Sequence, residues 1–252
     1  MWNPFEILFY AQLLSSLSYS IGTLLYALPI PVYGIKKWGP ILIKDSIYVA
    51  VWTLIDTVVL SFARHILHML GVHWGSYFNW LFQVENYNIN AFLILKTILT
   101  VASFVSINYA PLTLFSFLLS ISVSYFEFLD MISLMIYQYV GIFVAIGILL
   151  MSLPFRIGRS IGASFIATSL VFYVGLPYLP TFLTELDLNI LNLHIPANPD
   201  IQFILQVAIP EIFLANLFMP TAYIAILSGL SIGLGNAIGG YGSRVPFMVE
   251  MP

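Results

Sequence analysis

Cysteine is absent from the chain, which excludes disulfides, thiolate metal sites and cysteine nucleophiles. Charge is almost as scarce. Asp, Glu, Lys and Arg make up 8% of the 252 residues, against roughly 25% in a soluble globular protein. A chain this poor in charge cannot coat a water-facing surface. The net charge is −3 and the longest basic run is Lys36-Lys37, so no stretch forms the cationic stripe of a nucleic-acid footprint. Enzyme signatures are missing too: there is no GxSxG, no Walker loop, no HExxH and no paired carboxylates in a charged cleft. No soluble domain is present to hydrolyse ATP, so energised work must draw on a partner or an ion gradient. The first residues, Met1-Trp2-Asn3-Pro4-Phe5-Glu6, lack the basic n-region of a cleaved signal peptide, and the first span is expected to be retained. No internal repeat is visible, so nothing points to an inverted-repeat transporter.

What is abundant is apolar surface: 60% of residues are hydrophobic and 16% aromatic. Uncharged stretches of ~20 residues are long enough to cross a bilayer as helices. The expected fold is therefore all-α, a polytopic transmembrane helical bundle forming one domain over residues 1–252 of a multi-pass cell-membrane protein. Spans are expected at about 5–30, 47–70, 91–109, 112–130, 131–153, 160–182 and 203–235, about seven in all. The stretch from Leu112 to Tyr125 would lower that count if re-entrant. The segment Gly71–Asn90 has no Lys or Arg but carries Trp74, Tyr77, Phe78, Trp80 and Phe82, the mark of an interfacial loop or surface helix outside the cytoplasm.

Orientation follows from Leu153 to Phe182, LPFRIGRSIGASFIATSLVFYVGLPYLPTF. Arg156 and Arg159 precede an uncharged run, and Lys and Arg next to a span are retained inside. Pro177 and Pro180 are expected to close that span. With this loop inside, Lys36, Lys37, Lys44 and Arg244 also fall inside. The N-terminus is then outside and the C-terminus inside. Thr184–Pro199 carries acids but no Lys or Arg and is expected outside. Pro210 and Pro220 are expected to kink or split the last run, and the tail from Gly239 to Arg244 to be flexible and cytoplasmic.

Several residues carry candidate chemistry. Asp56, Arg64, Lys96 and Glu211 are charges within spans. They either line a polar path, with Asp56, Arg64 and Glu211 as pathway candidates, or pair between helices and snorkel. His65, His68 and His73 share one window and suit either a metal or haem site or plain interfacial positions; no carboxylate motif accompanies them, and His194 is in an external loop. No cofactor is expected. Arg156 and Arg159 either contact lipid phosphate or dock a cytoplasmic partner, or serve as topology signals alone. Gly229, Gly233, Gly235 and Gly239 form two GxxxG spacings, suited to close helix packing and to a homo-oligomer.

Leu153-Pro154-Phe155-Arg156-Ile157-Gly158-Arg159, the small-residue span and Gly175-Leu176-Pro177 together resemble archaeal polytopic proteins related to the TrbL-type inner-membrane subunit of type IV secretion systems. Within that group the stretch is most similar to the CedA-like membrane components of crenarchaeal DNA exchange. The resemblance covers about Met151 to Phe182. It implies a non-enzymatic channel or platform subunit for DNA import. It further implies a hexameric cytoplasmic ATPase of the HerA/FtsK type, a small hydrophobic pilin or other membrane partner, and single-stranded DNA in transit. Two rival classes stand beside it: a small-solute or ion transporter using Asp56 and Glu211, and a structural membrane-anchor subunit.

Overall fold

The computed structural model describes residues 3–28, 36–104, 110–188, 191, 206–207 and 209–240. Among them all regular structure is helical. In chain order the helices are α1 (Pro4–Ala27), α2 (Trp38–Met69), α3 (Trp74–Phe104), α4 (Ala110–Met151), α5 (Arg159–Gly175), α6 (Leu179–Glu185), α7 (Ile209–Ile212) and α8 (Met219–Gly239). A 3-10 turn at Pro154–Arg156 follows α4, another at Leu176–Tyr178 joins α5 to α6, and a π-helical turn at Phe213–Phe218 joins α7 to α8. The tail 241–252 with Arg244, and most of the loop after Glu185 with His194, lie outside the described residues.

Among the described residues five helical stretches are long and apolar enough to cross a membrane: Pro4–Ala27, Trp38–Met69, Leu112–Met151, Arg159–Glu185 and Ile209–Gly239. Large apolar side chains such as Phe5, Leu54, Phe62 and Ile232 point outward along them, as suits surfaces that meet lipid rather than water. The difference from seven has two sources. The segments expected at 112–130 and 131–153 both lie in α4, a single helix of 42 residues. Glu127 and Asp130 do not interrupt it, and at ~1.5 Å per residue it is roughly 63 Å long, about twice a hydrocarbon thickness. The segment expected at 91–109 belongs to α3, which begins at Trp74 and is not among the five. The aromatic loop is thus helix for nearly its whole length. Its buried positions Trp74, Tyr77, Leu81, Val84 and Asn88 recur three and four apart, a helical period that the polar residues between them disguised.

Two proline expectations change as well. Pro177 and Pro180 do not end the span. Each sits in the first turn of a new helical segment, where a missing N–H leaves no bond unmade. Before Pro220 the helix widens into the π-turn instead of breaking.

The chain forms two compact units. Unit 1 comprises Met1–Ile66, Ile136–Val174 and Leu227–Pro252. Here α1 starts on Asn3, whose side chain accepts the Phe5 N–H, with Pro4 in the first turn. The backbones of α1 and α2 nearly touch: a Cβ on Gly22 or on Gly39 would lie 3.0 Å from the other's carbonyl oxygen. Ser15 Oγ donates to the Ser46 carbonyl at 2.7 Å. The C-terminal half of α4 and α5 form a tight hairpin. A Cβ on Gly162 would overlap the Gly147 carbonyl oxygen, and one on Gly158 the Leu150 carbonyl. Helix α8 lies on α5 through the Thr168 and Ser231 hydroxyls, 2.6 Å apart. In lipid, where apolar burial drives little, such small-residue contacts and hydroxyl bonds hold helices together.

Unit 2 comprises Leu67–Met135 and Gly175–Ile226. Leu95 of α3, Leu112, Phe115 and Leu119 of α4, and Ile212 of α7 form an apolar cluster. Tyr77 and Ser133 share a hydroxyl bond of 2.9 Å, and Trp80 meets Phe126 edge to face. Asn216 Nδ2 donates to Asn88 Oδ1 at 2.7 Å, with both side chains buried. Tyr223 donates its hydroxyl to the Gly175 carbonyl at 2.7 Å.

Candidate functional site

The α4–α5 connection is built by its sequence. Pro154 lacks the N–H that would continue α4, and Gly158 lets the returning chain pass the end of that helix. Between them Phe155 (φ 62°) and Arg156 (φ 63°) are left-handed, which costs a non-glycine residue about 1–2 kcal/mol. Two adjacent strained residues persist only when their side chains are held. The Phe155 ring meets Trp38 edge to face at 5.8 Å. Arg156 is held by Asp45.

Asp45 is 111 residues from Arg156 and 114 from Arg159 in sequence. Arg156 Nε donates to Oδ2 at 2.6 Å and Nη2 to Oδ1 at 2.9 Å, a forked pair. Arg159 Nη1 donates to Oδ1 at 2.6 Å. The Arg159 guanidinium also lies 5.0 Å from the centre of the Tyr48 ring. The Tyr48 hydroxyl donates to the Ile238 carbonyl at 2.9 Å, and a Cβ on Gly240 would be 3.2 Å from Arg159 Nη2. One carboxylate, two guanidiniums and a phenol thus tie the start of α2, the α4–α5 turn and the end of α8 together within unit 1.

The two arms differ. The Arg159 and Asp45 side chains are 16% and 17% exposed, while Arg156 is 46% exposed. The inner arm is shielded and the outer arm meets solvent. Beside the clamp is a cavity of about 10 Å³ bordered by Ser15, Ser18, Ser46 and Ser152, room for roughly one water. Lys36, Lys37 and Lys44 are exposed on the same end of the unit, next to Trp38 and Asp45.

The sequence spacing pointed to Arg156 and Arg159 and missed Asp45. A lone acid directly after Lys44 looks like a neutralising charge in a basic linker; its place one turn before Tyr48 was the only hint. Other candidates fare differently. Asp56, Arg64 and Glu211 do not share an environment: Asp56 is 4% exposed, whereas Arg64 and Glu211 are exposed. Eight residues turn a helix roughly 80° beyond two full turns, enough to put Asp56 in the seam and Arg64 outside it. Lys96 is exposed, its Nζ 5.5 Å from the centre of the Phe92 ring. His65, His68 and His73 are exposed, and among the described residues no three His, Cys, Asp or Glu side chains group to hold a metal.

Among the glycines, a Cβ on Gly229 or Gly233 meets nothing within 4 Å, Gly235 packs on Ser164 and Ala167, and Gly239 is buried. Close backbone approach within the chain also occurs at Gly147, Gly158 and Gly162. The Gly158-x-x-x-Gly162 spacing was visible in the sequence but hidden by the arginine beside it.

With only helical regular structure among the described residues, five helical stretches long and apolar enough to cross a bilayer, and Lys36, Lys37, Lys44, Arg156 and Arg159 at one end of unit 1, the chain has the make-up of a multi-helix membrane protein. A family described as DNA import protein CedA1 matches residues 1–69. The DNA import protein CedA of Sulfolobus acidocaldarius is 44% identical over 260 residues, an alignment that spans the whole of both chains. The chain belongs to the CedA family. No solved structure matches it.

Proposed function

We propose that this chain is a multi-pass cell-membrane subunit of a DNA import apparatus, with its clamp end on the cytoplasmic side. Full-length 44% identity to a DNA import protein carries the reading. The gathering of Lys36, Lys37, Lys44, Arg156 and Arg159 at one end supports the orientation, because basic residues flanking spans are retained inside. In that frame the bilayer fits the second half of α4. From Asp130 to Met151 the helix covers roughly 32 Å, about one hydrocarbon thickness.

The finer reading is a channel or platform subunit of a type IV secretion-related system, worked by a HerA/FtsK-type ATPase, with a small hydrophobic pilin beside it and single-stranded DNA as cargo. The absence of any nucleotide-binding motif from the sequence supports an external motor. The exposed small residues Ala225, Gly229, Gly233 and Ala237, four apart on α8, suit contact between copies in the membrane. Arg156 and Arg159 are engaged by Asp45, so an acidic docking surface on the motor would meet Lys36, Lys37 and Lys44. The transporter alternative keeps Asp56, the one buried charged residue among the described residues.

The test is complementation of a deletion strain in a DNA transfer assay between cells. Transfer is lost on deletion and restored by the wild-type gene. Lys36→Glu, Lys37→Glu and Lys44→Glu together reduce both transfer and recovery of the ATPase with the purified protein, at unchanged protein level. Undiminished transfer in the deletion strain refutes the function. Undiminished ATPase recovery from the triple variant refutes the docking face.

A further inference from the structure

Asp56 has no part in the clamp. Along α2 the buried positions of unit 1 are Gly39, Leu42, Ser46, Val49, Asp56 and Ala63, so a carboxylate lies within the helix's inward seam. It is 4% exposed, and its Oδ1 is buried with no hydrogen-bond partner. Among the described residues both ion pairs belong to Asp45.

Contacts elsewhere in unit 1 set which residues lie level with it. The antiparallel register of α1, set by Ser15 on Ser46 and Gly22 against Gly39, brings Phe5 and Glu6 level with Asp56. The register of α4, set by Gly141 against Leu60, brings Val144 and Ala145 level. The run of α5 from Arg159 beside Asp45 brings up Thr168, and α8, fixed by Tyr48 on Ile238, brings up Ser231. Those two hydroxyls are bonded to each other. The titratable groups nearest in register on each helix are Glu6 and Tyr10 on α1, both exposed; Tyr139 on α4; Tyr173 on α5; and Tyr48, Arg64 and His65 on α2 itself, the last two exposed. The described part of α8 in unit 1 has none.

We propose that Asp56 is a proton-binding site, a carboxyl that takes up and releases one proton as the protein works. A carboxylate buried within a membrane helix with an unbonded oxygen is strongly disfavoured, and such groups mark proton and ion relays. A metal ion needs several oxygen ligands at once, and among the described residues no three His, Cys, Asp or Glu side chains group to hold one. A proton needs a single oxygen. The site does not depend on the DNA import reading; its coupling to import does.

N,N′-dicyclohexylcarbodiimide tests the site directly. It reacts with protonated carboxyls in apolar surroundings: the carboxyl oxygen adds to the carbodiimide carbon, the acid proton passes to nitrogen, and the adduct rearranges to a stable N-acylurea. Native membranes are treated over a range of pH, and the α2 peptide is weighed by mass spectrometry. Asp56 is expected to carry the adduct, less of it as pH rises, and the Asp56→Asn peptide none. No adduct at any pH, or an adduct indifferent to pH, overturns the proposal. In DNA transfer, Asp56→Glu retains activity and Asp56→Asn loses it at wild-type protein level. A pH-dependent adduct with full transfer by Asp56→Asn keeps the proton site and refutes its coupling to import. Loss of the DNA import role in the deletion strain leaves the labelling result standing on its own.

Discussion

Removing Asp45 should expose how unequal the clamp's two arms are. Exposed ion pairs are worth roughly 0.2–1 kcal/mol, whereas breaking a buried pair by deleting one partner costs about 3–5 kcal/mol. The outer arm, with Arg156 46% exposed, belongs near the lower range. The inner arm, with Arg159 and Asp45 16% and 17% exposed, falls between the two. Asp45→Ala is therefore expected to destabilise by about 2–3 kcal/mol, Arg159→Ala by about 2 and Arg156→Ala by about 0.5. Arg156→Gly should be more stable than Arg156→Ala by about 1 kcal/mol, because glycine occupies a φ of 63° without strain. Asp45→Ala combined with Arg159→Ala should cost less than the two singly, since each removes the same contact. The assay is unfolding of the purified protein in detergent, followed by tryptophan fluorescence against denaturant and temperature. Equal losses for Arg156→Ala and Arg159→Ala, or strict additivity of the double variant, would refute the clamp as drawn.

Three further outcomes follow from the packing. Gly162→Leu should destabilise by at least ~3 kcal/mol, because even a Cβ there overlaps the Gly147 carbonyl; Gly229→Ala, with nothing within 4 Å, should leave single-chain unfolding unchanged or slightly improved. Asn216→Ala should cost about 1–3 kcal/mol by leaving the buried Asn88 Oδ1 without its donor, and replacing both with Leu should cost less than that single change when unfolding midpoints are compared. Glu85, on α3, has its carboxyl pushed above the usual range by burial first and by the nearby Asp130 and Glu127 carboxylates second. A raised folded-state value means the stabilising contribution is complete below the ordinary glutamate value of about 4.5 and is lost as pH climbs past it. Glu85→Gln should flatten that decline in a pH series of unfolding midpoints; an unchanged slope counts against it.

How much of this was readable in advance varies by residue. The apolar runs and the basic residues around them announced a helical membrane protein, since neither signal depends on what a helix touches. Pro154 and Gly158 announced a turn between α4 and α5. The polar stretch from Trp74 to Asn90 announced a loop or a short surface helix and not the long helix α3, because its period is carried by residues buried on one side and was masked by the Asn and Glu between them. Nor did Glu127 and Asp130 announce continuity: two acids between apolar runs look like a break, yet α4 runs through both.

Sequence alone therefore determined class and helical content, because burial in lipid is a property of composition that no particular neighbour can reverse. Tertiary structure decided which charges meet. Asp45 and the arginines are far apart along the chain, and only the hairpin at Gly147, Gly158 and Gly162 swings Arg159 onto Tyr48 and Asp45. Asp56 and Arg64 are near neighbours along one helix, and only the packing of unit 1 turns the first inward without a partner. Pairing energies depend on distance and enclosure, and both are set by the assembled bundle rather than by residue order.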